Sequence, residues 1–269
     1  SARESAARVA AGAVCRRLLA EFGVEIGSHV VALGGVEARE LSALPAPLTP
    51  ASDRSPVRRL APEAERAMVA RIDAAKDAGD TLGGIAEVVA RGLVVGLGSH
   101  VSWDRKLDGR LAAALMSIPA VKGVGIGLGF GAAMLAGSQA HDEIFRAGEA
   151  EGRLTGGFAR RTNRAGGLEG GITTGEPLVL RVAKKPIATL MSPLASVDLE
   201  TGESAKAQSE RSDVTAVPAM AVIAEAMTAI VLAGAYVEKF GGDSLDELRR
   251  NFEGYVARLA ARRERWRKP

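Results

Sequence analysis

A chain of 269 residues, 47% apolar and 25% charged, can bury one sizeable core or two medium ones. Its formal charge of +3 with both signs interleaved, and its 4% aromatic content, exclude the concentrated basic, ring-lined surface of a nucleic-acid binder. The same mild positive balance suits a small polyanion, and a single cysteine, Cys15, excludes an intramolecular disulfide framework and fits a reducing cytoplasm.

Ser1 and Glu4 have capping-box spacing and open a predicted helix that runs to about Phe22, with Cys15 as a core thiol within it. Glu25 to Val36, rich in β-branched residues, is predicted as a strand. Ala43 to Pro62 carries five prolines and is predicted as a loop, and Glu63 to Gly79 as a helix. Leu82 to Gly98 holds two short β-type runs around Arg91-Gly92, a hairpin pattern. Leu107, Leu111, Leu115 and Ile118 fall on one stripe of a helix over Asp104 to Ser117. Val121 to Ile126 is a glycine-interrupted strand, and the region from there to Arg161 shows no clear period. Leu178 to Ala183 and Ser196 to Leu199 are strand-like. Val217 to Phe240 is a nearly all-apolar helix, and Ser244 to about Arg263 an amphipathic one opened by Ser244 and Glu247. The basic stretch Arg258 to Lys268 is its solvated end.

Two apolar runs are long enough to test as membrane spans. Gly123 to Ala140 holds six glycines, and Glu225 interrupts Val214 to Val237, so both are expected to be buried elements of a soluble, cytoplasmic protein with no membrane contact. No secretory leader is read at the start. Gly127, Gly129 and Ala132 offer a dinucleotide-type spacing after a strand, but no acidic residue follows at the required distance, so that alternative is set aside. His29, His100 and His141 show no metal-ligand spacing and are assigned structural or loop roles. Gly83-Gly-Ile85 and Gly170-Gly-Ile172 form a faint internal echo before β-type runs.

The chemistry-bearing segments follow in order. Arg161 to Gly175 contains five glycines, enough for backbone N–H groups to converge on an anion or lie against a flat ring. Lys185-Pro-Ile-Ala-Thr189 supplies a lysine, a fixed turn and a hydroxyl for a phosphate. Arg211-Ser-Asp213 can hold an anion and move a proton in one pocket. With Ser1 to Gly12, Gly98 to Asp108 and Ile118-Pro-Ala-Val-Lys-Gly123, these segments resemble the chorismate synthase family from Ser1 to about Lys239.

That resemblance implies a single α+β domain over residues 1–269, a β-α-β sandwich with helices between two antiparallel sheets. A C-terminal helix and basic tail occupy about 241–269, and the assembly is a homotetramer. The family eliminates phosphate 1,4-anti from 5-enolpyruvylshikimate-3-phosphate to give chorismate, a step of aromatic amino-acid biosynthesis that requires reduced FMN. Carried over by position, Ser1 meets the flavin region and Arg3 a substrate anion. Pro119 and Ala120 make backbone contacts with flavin, although many members carry glutamine where Pro119 stands. Gly170 touches flavin, and Lys185, Pro186, Ile187, Ala188 and Thr189 form its binding loop. Arg211 lies near flavin and substrate, Asp213 assists removal of the C6 proton, and Asn163 belongs to the same pocket. No metal is implied, and whether NADPH reduces the flavin is left open. The family's N-terminal portion, with its Gly-Glu-Ser-His-Gly histidine and several arginines, has no counterpart in these 269 residues. The alternative expectation is therefore an inactive piece that serves only as a flavin-binding or oligomerisation module.

Overall fold

Helix α1 (Ala2–Ala20) is the first element of the computed structural model, which describes residues 2–38, 43–148 and 152–264. A hairpin follows, β1 (Glu25–Leu33) and β2 (Val36–Glu37). The single strand expected from Glu25 to Val36 is thus broken, because Gly34 and Gly35 take φ of +59° and +84° and turn the chain back. The proline-rich segment is not all loop: it holds a short helix, α2 (Leu48–Ser52), before α3 (Pro62–Asp77), whose proline occupies the first turn, where no N–H is needed.

The hairpin expected around Arg91-Gly92 does not form. β3 (Gly84–Arg91) is one strand, Gly92 takes φ +78°, and the chain leaves the sheet to bury Leu93, Val94 and Leu97. Helix α4 (Leu107–Met116) and strand β4 (Val121–Ile126) follow the sequence expectation, and Leu107, Leu111 and Leu115 of α4 are buried, as is Ile118 just after it. The aperiodic region resolves into a 3₁₀ turn at Gly129–Met134, α5 (Gly137–Ala140), β5 (Ile144–Arg146), α6 (Gly152–Thr155) and β6 (Phe158–Arg160). Next come β7 (Leu168–Glu169), β8 (Ile172–Thr173), β9 (Leu178–Lys184), β10 (Ala195–Val197) and β11 (Ser204–Lys206). Two helices end the described chain, α7 (Val217–Phe240) and α8 (Leu245–Glu264). Glu247 N donates to Ser244 Oγ at 3.3 Å, half of the capping box read from the sequence.

Five strands build one antiparallel sheet in the order β2-β1-β3-β9-β4, with three two-stranded antiparallel ribbons outside it. This is the α+β class expected, and it excludes a parallel dinucleotide-binding crossover, since β4 runs antiparallel to β9. The echoed glycine pairs are not equivalent: Gly83-Gly84 leads into the central strand β3, whereas Gly170-Gly171 is the turn of the β7–β8 ribbon.

Helices α1 and α7 cross on one face of the sheet, and Gly12 sets their separation. A Cβ at Gly12 would lie inside the van der Waals radius of Ala226, so only glycine permits this approach. Phe22, Tyr236, Phe240, Phe252 and Tyr255 join α1, α7 and α8 through ring contacts of 5.1–6.1 Å between centroids. Among the described residues α7 alone is long and apolar enough to cross a membrane, and most of it is buried inside the protein. Its Glu225 is 1% exposed and accepts hydrogen bonds from Arg16 (2.5 Å), Arg58 (2.8 Å) and Ser28 (2.6 Å). The residue that broke the apolar pattern therefore ties α7 to α1, to β1 and to the segment before α3.

Candidate functional site

The end of β9 gathers most of the candidate residues. β4 and β9 pair with Val121 opposite Lys184, so the turn before β4 faces the start of the 185–189 segment. In that turn Ala120 adopts φ +65°, an uncommon conformation for a residue with a Cβ. Two bonds hold it there: Lys185 N donates to Ala120 O at 3.0 Å, and Lys184 Nζ donates to Pro119 O at 2.7 Å. Burial pushes the Lys184 ammonium below its usual pKa.

From Lys185 the chain runs over Gly83. A Cβ at Gly83 would collide with Lys184 O and crowd Pro186, so this glycine lets the two backbones touch. Thr81 Oγ1 donates to Ile187 O at 2.6 Å, and Ser212 Oγ donates to Thr189 O at 2.9 Å. Leu82 N donates to Val214 O at 2.7 Å. Asp213 is thus fixed between two anchored neighbours. Pro119, Ala120, Lys185 to Thr189 and Arg211 to Asp213 therefore converge on one end of β3 and β9. Lys185, Pro186, Ala188, Arg211 and Asp213 are exposed, and Ile187 and Thr189 half-buried.

Arg3 is exposed on the first turn of α1. Arg8, further along that helix, donates to Ser117 Oγ at 2.8 Å, beside the Pro119 turn, so α1 presents its first turns to the same end of the molecule. Ser1 lies outside the described residues. Gly170 is not brought into the cluster. Leu107 N, at the first turn of α4, donates to Gly171 O at 2.9 Å, whereas Pro119 follows the last turn. Ten residues of helix separate the two ends by about 15 Å. Asn163 is engaged within its own loop, where its Nδ2 donates to Pro177 O at 2.7 Å.

Three contributors were missed in the sequence. Lys184, not only Lys185, clamps the Pro119 turn. Thr81 anchors the 185–189 segment from across the sheet, a partner visible only once β3 and β9 pair. Asp142, next to His141, accepts from Thr162 (2.5 Å), Arg164 N (2.8 Å) and Ala165 N (2.9 Å), and so shapes the loop that opens the glycine-rich run. Burial would raise the Asp142 carboxyl, but these bonds outweigh it and hold the group below its usual value.

A second polar group lies across the sheet, on the face away from α7. His29, Glu87 and Arg181 stand opposite one another on β1, β3 and β9. Glu87 accepts from His29 Nε2 at 3.2 Å and Arg181 Nε at 2.8 Å. Burial alone would raise the Glu87 carboxyl; the bonds from His29 and Arg181 outweigh it and leave the group depressed. These residues border a cavity of about 360 Å³ that also reaches Arg59 and Ile85. None of the residues assigned to flavin or substrate lines it.

A family model described as chorismate synthase matches residues 1–237. The chorismate synthase of Saccharopolyspora erythraea is 60% identical over 267 residues, which are 98% of this chain and 65% of that protein. That of a Thermus thermophilus strain is 56% identical over 261 residues, covering 97% and 66%. A solved structure described as a crystal structure of chorismate synthase superimposes with a TM-score of 0.81 at 45% identity, over 97% of this chain and 71% of that one. The chain thus spans about 65% of the length of the Saccharopolyspora protein.

Proposed function

The chain belongs to the chorismate synthase family, and from that membership we propose that it carries the catalytic half-site for phosphate elimination from 5-enolpyruvylshikimate-3-phosphate. The observation that carries the proposal is the convergence of the 119–120 turn, the 185–189 segment and the 211–213 segment, the first bonded to Lys185 through Ala120 O and the last to Thr189 through Ser212 Oγ.

The residues fit reduced FMN in two respects. The turn of exposed Pro119 and half-buried Ala120, the latter in its uncommon conformation, carries no bulky side chain. Lys185 and Thr189 place an ammonium and a hydroxyl at the two ends of one short segment, the donor set a phosphate needs. When bound, reduced FMN supplies transient electron density for C–O cleavage. Arg3 and Arg211 neutralise the substrate's carboxylates and phosphate. Asp213, anchored through Ser212 and Val214, assists removal of the C6 proton. Gly170 contributes by resemblance only, since its place at the far end of α4 separates it from the other contacts.

We also read the protein as a cytoplasmic homotetramer acting on a small molecule, without nucleic acid or membrane. Exposed apolar side chains such as Val14, Trp103 and Phe130 are what further chain or further subunits would cover. The second reading is a flavin-binding or oligomerisation module without turnover.

The test is anaerobic incubation of the chain with reduced FMN and 5-enolpyruvylshikimate-3-phosphate, following phosphate release and chorismate absorbance. Turnover that falls about 10²–10⁴-fold in Asp213→Asn supports the synthase reading. FMN binding without turnover supports the flavin-binding module, and a folded chain that binds no FMN refutes the synthase and leaves only an oligomerisation module.

A further inference from the structure

The C-terminal end of α7 and the middle of α8 border an open concavity of about 490 Å³ whose charged lining is all of one sign, the exposed Lys239, Arg250 and Arg258. It begins just beyond the residues matched by the family model. It lies at the opposite end of α7 from Asp213, and 24 helical residues separate the ends by roughly 36 Å.

Two of the three cations lie against aromatic walls. Lys239 Nζ stands 4.4 Å from the centroid of the Tyr255 ring and 6.0 Å from that of Phe240. The Arg258 guanidinium lies 5.7 Å from the same Tyr255 ring. The ring itself is fixed, because Tyr255 Oη donates to Val95 O at 3.0 Å. Asn251 Nδ2 donates to Phe240 O at 2.7 Å, which occupies a carbonyl at the helix end that would otherwise repel an anion. Gly254 exposes the backbone of α8 to the cavity, and a Cβ there would meet nothing within 4 Å.

Neutralisation within the protein is slight. Among the described residues Lys239 and Arg258 form no ion pair, and Arg250 has only a 3.9 Å contact with Glu247. Lys239 is held below its usual pKa by burial and then by the charge of Arg258. Three cations around one concavity repel each other, and a dianion placed among them would relieve that repulsion.

We propose that this cavity is a binding site for a small phosphate-bearing anion, held by Lys239, Arg250 and Arg258 and separate from the site at the end of β9.

The test is residue-resolved lysine acetylation of the full chain, read by peptide mass spectrometry, without and with saturating inorganic phosphate. A parallel arm uses vesicles containing phosphatidic acid, and circular dichroism confirms that each variant is folded. Phosphate is expected to slow acetylation of Lys239 at least fivefold. Arg258→Gln should raise the phosphate concentration that gives half-protection about tenfold, the effect of one charge-assisted contact, while leaving any protection of Lys185 unchanged. Protection by the vesicles alone, weakened in the same variant, assigns the phosphate to a lipid headgroup. A half-protection concentration unchanged in Arg258→Gln, or no protection in either arm, overturns the proposal.

Discussion

Replacing Glu225 with glutamine tests whether the buried ionic knot holds the helix layer to the sheet. The carboxylate is 1% exposed and serves Arg16, Arg58 and Ser28 at once. Breaking a buried pair from one side costs about 3–5 kcal/mol, because the partner charge stays buried without compensation. Two features move the expectation to the lower end. Arg16 is 36% exposed and keeps its 2.8 Å bond to Ile26 O, and Arg58 keeps Asp53. Glu225→Gln should therefore cost about 3 kcal/mol, and lower Tm by roughly 6–12 °C for a chain of this size. Glu225→Met, which has no acceptor, should cost about 1 kcal/mol more. Replacing Arg16, Arg58 and Glu225 together with apolar residues of similar volume should recover most of the loss. The assay is thermal unfolding by circular dichroism, with urea unfolding as a second measure. A Glu225→Gln variant melting within about 2 °C of the parent chain would refute the reasoning, since about 1 kcal/mol or less would then separate the two.

Gly12→Ala should destabilise by about 1–3 kcal/mol despite the better helix propensity of alanine, because the new methyl collides with Ala226; the urea midpoint checks it. Gly83→Ala should displace the 185–189 segment, and FMN fluorescence titration should show binding lost while the far-ultraviolet spectrum is kept. Lys184→Met removes the bond to Pro119 O and should weaken FMN binding about fivefold, a bond that is half-exposed being worth about 1 kcal/mol. Glu87 has a depressed carboxyl in the folded state, so its contribution is complete above the ordinary value of 4.5 and fades as pH falls toward the folded value. Unfolding free energy of Glu87→Gln against pH should accordingly show a shallower acid limb than the parent chain, and an unchanged limb would sink this account.

Periodic elements were legible because burial imposes a period. The α4 stripe, β4 and both ends of α7 could be read from residue spacing alone. What escaped was held by contacts between distant segments. The loop after β4 owes its shape to Asp142 accepting from Arg164 N and Ala165 N, which leaves no period to read. Leu82 to Gly98 looked like a hairpin because Leu93, Val94 and Leu97 are as apolar as strand residues, yet they fill the core from outside the sheet. Of the candidate site, the motif residues were readable one by one. Their convergence, and the separation of Gly170 from them, depended on which strand pairs with β9 and on which end of α4 each turn occupies.

The strand order has a consequence during synthesis on the ribosome. β3 lies between β1 and β9, but β9 leaves the ribosome about 90 residues after β3 ends. At ordinary elongation speeds that gap lasts roughly 4 to 18 seconds. Throughout it one edge of a strand carrying Ile85, Val88 and Val89 has no partner. Nascent chains of this protein thus pass through an adhesive interval that ends when Lys184 emerges, and a trigger-type chaperone that shields this edge should raise the yield of folded protein more than one that acts after release.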